Sequence, residues 1–309
     1  MDSISFKTKK LYAVYIKKWV TFCVEKNLNY KNPSLNNVAL FLSVLYKRGL
    51  SYSAINIARS AISFFTPSSE GLKLGANPII SRIMLGIKNN RPKVSRYVAM
   101  WDIDIVLSFL RELWPLKSLP TNLVVKKLVT LILLVTSHRI QTLQTLKVSN
   151  LLWVRKDLCI FVLDEKLKHS RGKELGFVQL NAFDKDPRLC VIRCLREYLQ
   201  RTKKDRGEID YLLITTIRPF RPAKHDTIGN WVTNTLKDSG IDVSVFKPHS
   251  TRGASVSKYV SLKVPVDLIL SKGQWSVEST FRKFYDKQIL PQGDISQKLL
   301  NNFVKNNQK

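Results

Sequence analysis

The chain has 309 residues, with 51 Lys and Arg against 23 Asp and Glu for a net charge of +28, and 44% of it is hydrophobic. That length leaves room for about two domains, and so much apolar material excludes a disordered basic tail. A foldable chain this basic needs a polyanionic partner, nucleic acid ahead of an anionic membrane, because each phosphate neutralised releases condensed counterions. Cys23, Cys159, Cys190 and Cys194 are too scattered for a disulfide framework, and no leader is evident, so a reducing compartment is expected. Cys190 and Cys194 stand one helical turn apart without the further Cys or His that zinc needs, and read as core residues. The longest apolar run, Leu128 to Val135, falls short of the roughly 20 residues that cross a bilayer, so a soluble chain with no membrane partner is expected.

In the first part, Tyr12, Tyr15, Ile16, Trp19, Val20 and Cys23 recur at helical spacing on one face. Ser34 is the expected N-cap of a second helix that runs through Leu45 and stops at Gly49. A third begins near Ser53, buries Ile55, Ala58, Ile62 and Phe65, and ends at Pro67. The fourth takes Asn77 as cap and Pro78 in its first turn, with Ile79, Ile83 and Ile87 following at i, i+4, i+8. Asn89 to Arg96 is polar, basic and broken by Pro92, which reads as a linker and puts a domain boundary near residue 98. Residues 1–98 hold 16 Lys and Arg against 3 Asp and Glu, so charge is denser on this four-helix domain.

The second domain, 99–309, opens with a helix after Asp102 and a buried helix from about Leu123 to Val135. Leu158 to Leu163 and Gly176 to Leu180 read as two strands of a hairpin, with the basic stretch Glu165 to Glu174 at its tip. Helical patterns follow at Pro187 to Arg201, Thr227 to Lys237, Thr251 to Val260, Pro265 to Ser271 and Val277 to Tyr285, interrupted by an apolar run, Tyr211 to Thr215. The expected fold is mainly α: a small helical domain, then an α-rich domain with a small antiparallel sheet.

Neither a P-loop nor a dinucleotide-binding glycine pattern occurs, nor a carboxylate cluster suited to Mg²⁺, so an ATPase or two-metal nuclease is not expected and no cofactor is assigned. What stands out is His249-Ser250-Thr251-Arg252, then Gly273-Gln274-Trp275, then Phe281-Arg282-Lys283-Phe284-Tyr285. Attack on a phosphodiester requires a nucleophile, cations on the non-bridging oxygens and proton carriers, and Tyr, Arg and His provide these. Upstream, Arg139 directly follows the apolar helix, a position that suggests a buried, aimed guanidinium.

In their order, these residues resemble the signature of the tyrosine recombinase (phage integrase) family, most closely the crypton and DIRS type carried by eukaryotic mobile elements. The resemblance spans nearly the whole chain. It implies a core-binding (SAM-like) helical domain and a catalytic domain that together form a C-shaped clamp on double-stranded DNA. It further implies Tyr285 as nucleophile, Arg139 and Arg252 as phosphate clamp, His249 as proton carrier, and Trp275 as donor where bacterial members have His. A hairpin lysine would protonate the leaving 5′ oxygen; Lys166, Lys168 and Lys173 lie there, with Lys168 preferred for its Lys168-His169-Ser170-Arg171 run and Lys173 next, also as a DNA contact. Lys9, Lys10, Arg59, Lys93 and Arg96 are candidate backbone contacts. Two departures separate the chain from bacterial members: Thr142 replaces an acidic residue, and Tyr285 stands ten positions after Trp275 where bacterial His to Tyr spans nine, Phe284 occupying the ninth.

The implied activity is site-specific recombination through a 3′-phosphotyrosyl intermediate, in integration or excision of a mobile element within the nucleus. A type IB topoisomerase-like enzyme and a domesticated, non-cutting DNA-binding protein are the alternatives. In the tail, 286–309, Ile295, Leu299, Leu300 and Phe303 recur at helical spacing and need a partner. The resemblance implies that this segment docks on a neighbouring protomer and links copies of the chain into dimers and tetramers on DNA.

Overall fold

The computed structural model describes residues 4, 6–66, 73–92, 95–164, 176–273, 275, 278, 281–282, 285 and 287–290. The chain divides into two compact units, 1–94 and 95–309. The first unit is built from α1 (Phe6–Glu25), α2 (Leu35–Lys47), α3 (Tyr52–Phe65) and α4 (Pro78–Asn90). Ser34 and Ser51 cap α2 and α3 by accepting from the backbone N–H three residues on, and Asn77 caps α4 by accepting from Ile79. Gly49, at φ +85°, closes the turn after α2 in a conformation that favours glycine. The unit's core joins Trp19, Phe22 and Cys23 of α1 to Phe41 and Leu42 of α2, Ile55 and Ile62 of α3, and Ile80 and Met84 of α4.

The structure departs from the expected pattern at several points. The buried row of α4 is Ile80, Met84 and Ile87, whereas Ile79 is 55% exposed. A row at i, i+4, i+8 drifts by about 80° on a helix of 3.6 residues per turn, whereas i, i+4, i+7 holds to one face. Phe65 is 59% exposed because it stands on the last turn of α3, beyond the buried row Ile55, Ala58 and Ile62. The expected linker also begins too early. Asn89 and Asn90 still belong to α4, and Arg91 donates to the carbonyls of Tyr46 and Leu50, both at 2.8 Å. The division falls ahead of residue 98 because Tyr97 belongs to the second unit: its ring packs on Phe246 at 5.5 Å and its hydroxyl accepts from the Lys247 N–H.

The second unit runs through β1 (Ala99–Met100), α5 (Ile103–Glu112), α6 (Thr121–Thr136), α7 (Ile140–Gln144), β2 (Leu151–Arg155), β3 (Leu158–Val162) and β4 (Phe177–Asn181). It continues with α8 (Val191–Arg206), α9 (His225–Asp238), α10 (Ser250–Ser261), α11 (Val266–Lys272) and β5 (Gln288–Ile289). α6 is buried along nearly its whole length and packs against α8, α9, α10 and β4, which is why its apolar run has no polar face. The sheet β2-β3-β4 is antiparallel, with Phe161 facing Leu151 on one side and Val178 on the other. β2 was not anticipated, since Leu152, Trp153 and Val154 are all exposed and the strand shows no alternation of buried and open positions. The run Tyr211 to Thr215 forms isolated bridges, Lys147 with Tyr211 and Ile214 with Pro222, rather than a strand. β1 and β5 pair in parallel across most of the unit's sequence.

All four cysteines are free and buried, and burial pushes the Cys23 thiol to about 11 and Cys159 to about 12. Among the described residues no helix is long and apolar enough to cross a membrane. The hairpin tip with Lys166, Lys168 and Lys173, the basic residue Lys93, and the tail from residue 291 lie outside the described residues.

Candidate active site

Three chain turns of the second unit converge on Arg252. The first is the end of α6, where Ser137 takes a left-handed conformation at φ 54° and breaks the helix. The reversal leaves the Ser137 carbonyl open, and Arg252 Nη1 donates to it. Arg139 follows at the N-cap position of α7. The second turn starts α10: His249 occupies its N-cap position without capping it through the side chain, and Arg252 lies in the first helical turn. The third follows α11, where the Gly273 carbonyl accepts from Arg252 Nη2 at 2.7 Å. Trp275 then folds its ring back over Gly273, and a Cβ at 273 would stand 1.6 Å from that ring. Only glycine leaves room for the indole there.

Arg252 is 1% exposed, with its guanidinium 3.6 Å from the centre of the Trp275 ring and 5.3 Å from that of Tyr285. Burial, then the charge of Arg139, brings its pKa down to about 9. Two of its five N–H donors hold backbone carbonyls. Arg252 Nε and Trp275 Nε1 are buried with no hydrogen-bond partner among the described residues. Buried donors left unpaired are costly, and these two belong to side chains stacked on one another.

Tyr285 closes this cluster. Its ring meets Trp275 at 5.1 Å and His249 at 6.1 Å, both edge-on, and its hydroxyl lies 3.4 Å from His249 Nε2. The Ser257 hydroxyl donates to the Tyr285 carbonyl at 3.1 Å and accepts from the Lys287 N–H, fixing the backbone on the far side of the ring. Close packing, and after it the charges of Arg252, Arg139 and Arg96, hold the His249 imidazole down at about 4. The residue as a whole is exposed to solvent. The ring is neutral at physiological pH and can accept a proton. Beside it a groove of about 450 Å³ runs along Arg139, Gln141, His225, Asn230, Lys247 and His249.

His249, Arg252, Trp275 and Tyr285 therefore share one site. Arg139 flanks it and acts on Arg252 and His249 through its charge. The buried guanidinium belongs to Arg252, while Arg139, expected to be buried, is half-buried at its turn. Sequence reading gave no role to Ser137 or Ser257 and named Gly273 only as part of the Gly273-Gln274-Trp275 run. Gly273, two residues before Trp275, is the position in that run where a side chain would strike the indole. Of the candidate DNA contacts in the first unit, Lys9 and Lys10 are exposed on α1, whereas Arg59 is half-buried and donates to the Gly75 carbonyl at 3.0 Å. Arg96, at the start of the second unit, is exposed.

The fold is shared with several solved structures. The XerH site-specific recombinase bound to palindromic difH substrate aligns with a TM-score of 0.57 at 16% identity, over 82% of this chain and 68% of that one. A lambda integrase dimer bound to a COC′ core site gives 0.55 at 14%, over 95% and 94%. The Tn1549 transposon integrase in complex with transposon right end DNA gives 0.53 at 14%, over 88% and 85%. Comparison with curated proteins finds no significant match. The sequence pattern of the phage integrase family matches residues 115–289, a span that contains every member of the cluster around Arg252. This chain belongs to the phage integrase family and is a tyrosine-type DNA recombinase.

Proposed function

We propose that the chain cuts and rejoins duplex DNA at specific sites through a 3′-phosphotyrosyl intermediate, in the integration or excision of a mobile element. The observation that carries this reading is the pair of unpaired buried donors, Arg252 Nε and Trp275 Nε1, beside a tyrosine hydroxyl and a neutral histidine. The scissile phosphate takes those donors together with the guanidinium of Arg139, and they stabilise the charge that grows on its non-bridging oxygens. Tyr285 Oη attacks phosphorus while its proton passes to His249; a new O–P bond forms and the bond to the 5′ oxygen breaks. The leaving oxygen takes a proton from the hairpin lysine, Lys168 in preference to Lys173. Because one phosphodiester replaces another, a free 5′ hydroxyl can reverse the step on the same or another strand without nucleotide hydrolysis.

The charge of the chain supports double-stranded DNA as substrate, with Lys9, Lys10, Lys93 and Arg96 on the backbone. The XerH, lambda and Tn1549 structures hold DNA, and dimers or tetramers occur among the lambda integrase structures. By extension, copies of this chain assemble on DNA through the 286–309 tail. A nuclear site of action and kinship with crypton and DIRS elements complete the proposal. The test is covalent trapping on nicked suicide duplexes tiled across the DNA flanking the coding sequence. A protein–DNA adduct that maps to Tyr285 is expected, and complete absence of adduct with a folded, DNA-bound chain overturns the reading. Affinity should fall with a log–log salt slope near −0.9 per phosphate neutralised. A slope equivalent to one contact would point away from DNA.

A further inference from the structure

The stretch Tyr97–Asp104, at the start of the second unit, lies along α10 and is tied to it at successive points. The Trp101 indole N–H donates to Ser250 Oγ at 2.9 Å, with Trp101 3% and Ser250 1% exposed. Met100, 1% exposed, covers Gly253, where a Cβ would come within 2.4 Å of its Cε. Asp102 and Asp104 both accept from Lys258 Nζ, at 3.1 and 2.6 Å. The same stretch also holds the chain beyond the tyrosine. Ala99 and Met100 pair with Gln288 and Ile289, and the Met100 carbonyl accepts from the Leu290 N–H at 2.6 Å.

We infer that this strap is a positioning element for strand cleavage, and that Trp101 and Ser250 are its positioning residues, acting on His249 and Arg252 through the turn that carries them. Ser250 opens α10, next to His249 and two residues before Arg252, so its side chain is a handle on the turn that carries both functional groups. Neither Trp101 nor Ser250 has a place in the phosphate chemistry. Within the strap, Trp101 fixes the turn that bears the proton acceptor, and its neighbour Met100 fixes the backbone five residues past the nucleophile. The 3.4 Å between His249 Nε2 and the Tyr285 hydroxyl is set between those two anchors. Loss of an anchor lets the turn shift, and small displacements of reacting groups are expensive in rate.

The inference rests on the recombinase reading, and the experiment separates the two. Full-length Trp101→Phe, Ser250→Ala and the double variant are compared with the parent in single-turnover cleavage of a suicide duplex, alongside DNA titration and thermal unfolding. Each single variant leaves one buried polar group unpaired and should lower the melting temperature, whereas the double variant removes both and should recover much of it. Cleavage at saturating DNA should be roughly tenfold slower in all three, with half-saturating DNA unchanged, because the turn that carries the reacting groups shifts and no DNA contact is touched. A purely structural role predicts instead that cleavage recovers in the double variant along with stability, and that result overturns the inference. So does cleavage within twofold of the parent in Ser250→Ala, which removes one oxygen and holds even if Trp101→Phe fails to fold. A parent chain that forms no adduct on any duplex overturns the recombinase reading and this inference together.

Discussion

Two arginines, one in each unit, are held by the same device. Arg91, just past α4, lies 3.9 Å from the centre of the Tyr46 ring and donates to the carbonyls of Tyr46 and Leu50. Arg252 lies 3.6 Å from the centre of the Trp275 ring and donates to the carbonyls of Ser137 and Gly273. Arg91 neutralises carbonyls at and just beyond the C-terminal end of α2, where a cation is favoured, and keeps part of its surface in water. Arg252 is sealed from solvent, keeps Nε unpaired, and has a histidine and a tyrosine hydroxyl within its reach. Stacking and carbonyl bonding are therefore a packing solution wherever they occur. Donor capacity left over beside titratable neighbours is what distinguishes a site.

The largest effect expected is from Tyr285→Phe, which should abolish the covalent adduct while leaving DNA affinity nearly unchanged, since no cation is removed. Peptide mapping that put the adduct on Tyr259, whose hydroxyl donates to the Val135 carbonyl, would move the chemistry away from Arg252 and break the comparison. Next come the arginines themselves. Arg252→Lys keeps a charge but loses the fork, and cleavage should fall by about two orders of magnitude or more, as it should for Arg139→Lys. Arg91→Lys should leave the single-turnover cleavage rate unchanged and appear only as a lower melting temperature. Equal cleavage rates for Arg252→Lys and Arg91→Lys would mean that the two cations do the same work.

Gly273→Ala sharpens the comparison from the side of the ring. The added methyl falls on the Trp275 indole, so the ring must leave its place over Arg252. A loss of about 1–3 kcal/mol in stability, with slower cleavage, is expected from such overpacking. Gly229→Ala on α9, where nothing lies within 4 Å of the new methyl, is the control and should unfold at the parental temperature or above. No difference between the two in thermal unfolding would remove Gly273 from the cradle.

The smallest effect concerns pH. His249 is held at about 4 in the folded chain, below the roughly 6.5 of an unfolded one, so the unfolded chain takes up the proton first as pH falls. Its contribution to stability is full above about 6.5 and is lost as pH drops toward 4. Replacing it by glutamine should flatten that part of the melting-temperature curve. A curve of unchanged slope between pH 6.5 and 4 would mean that the imidazole is not held neutral by the arginines and packing around it.

By itself the sequence determined what is local. Ser34, Asn77 and Pro78 satisfy orphan N–H groups or fit the first turn wherever the rest of the chain goes, so the starts of α2 and α4 were legible. The run Leu128 to Val135 of α6, apolar but for Thr130, required a helix buried all round. The ordered set Arg139, His249, Arg252, Trp275 and Tyr285 was also picked out from the sequence, and the fold brings the last four of them together. Only the tertiary structure decided which arginine is buried, that Ser137 would turn left-handed and offer its carbonyl, that the Gly273 backbone would hold Arg252, and that Gln288 would pair with Ala99. These are bonds made by backbone groups, which every residue carries alike, between points far apart in the chain. Such contacts leave no mark on side-chain pattern and exist only once the helices have packed.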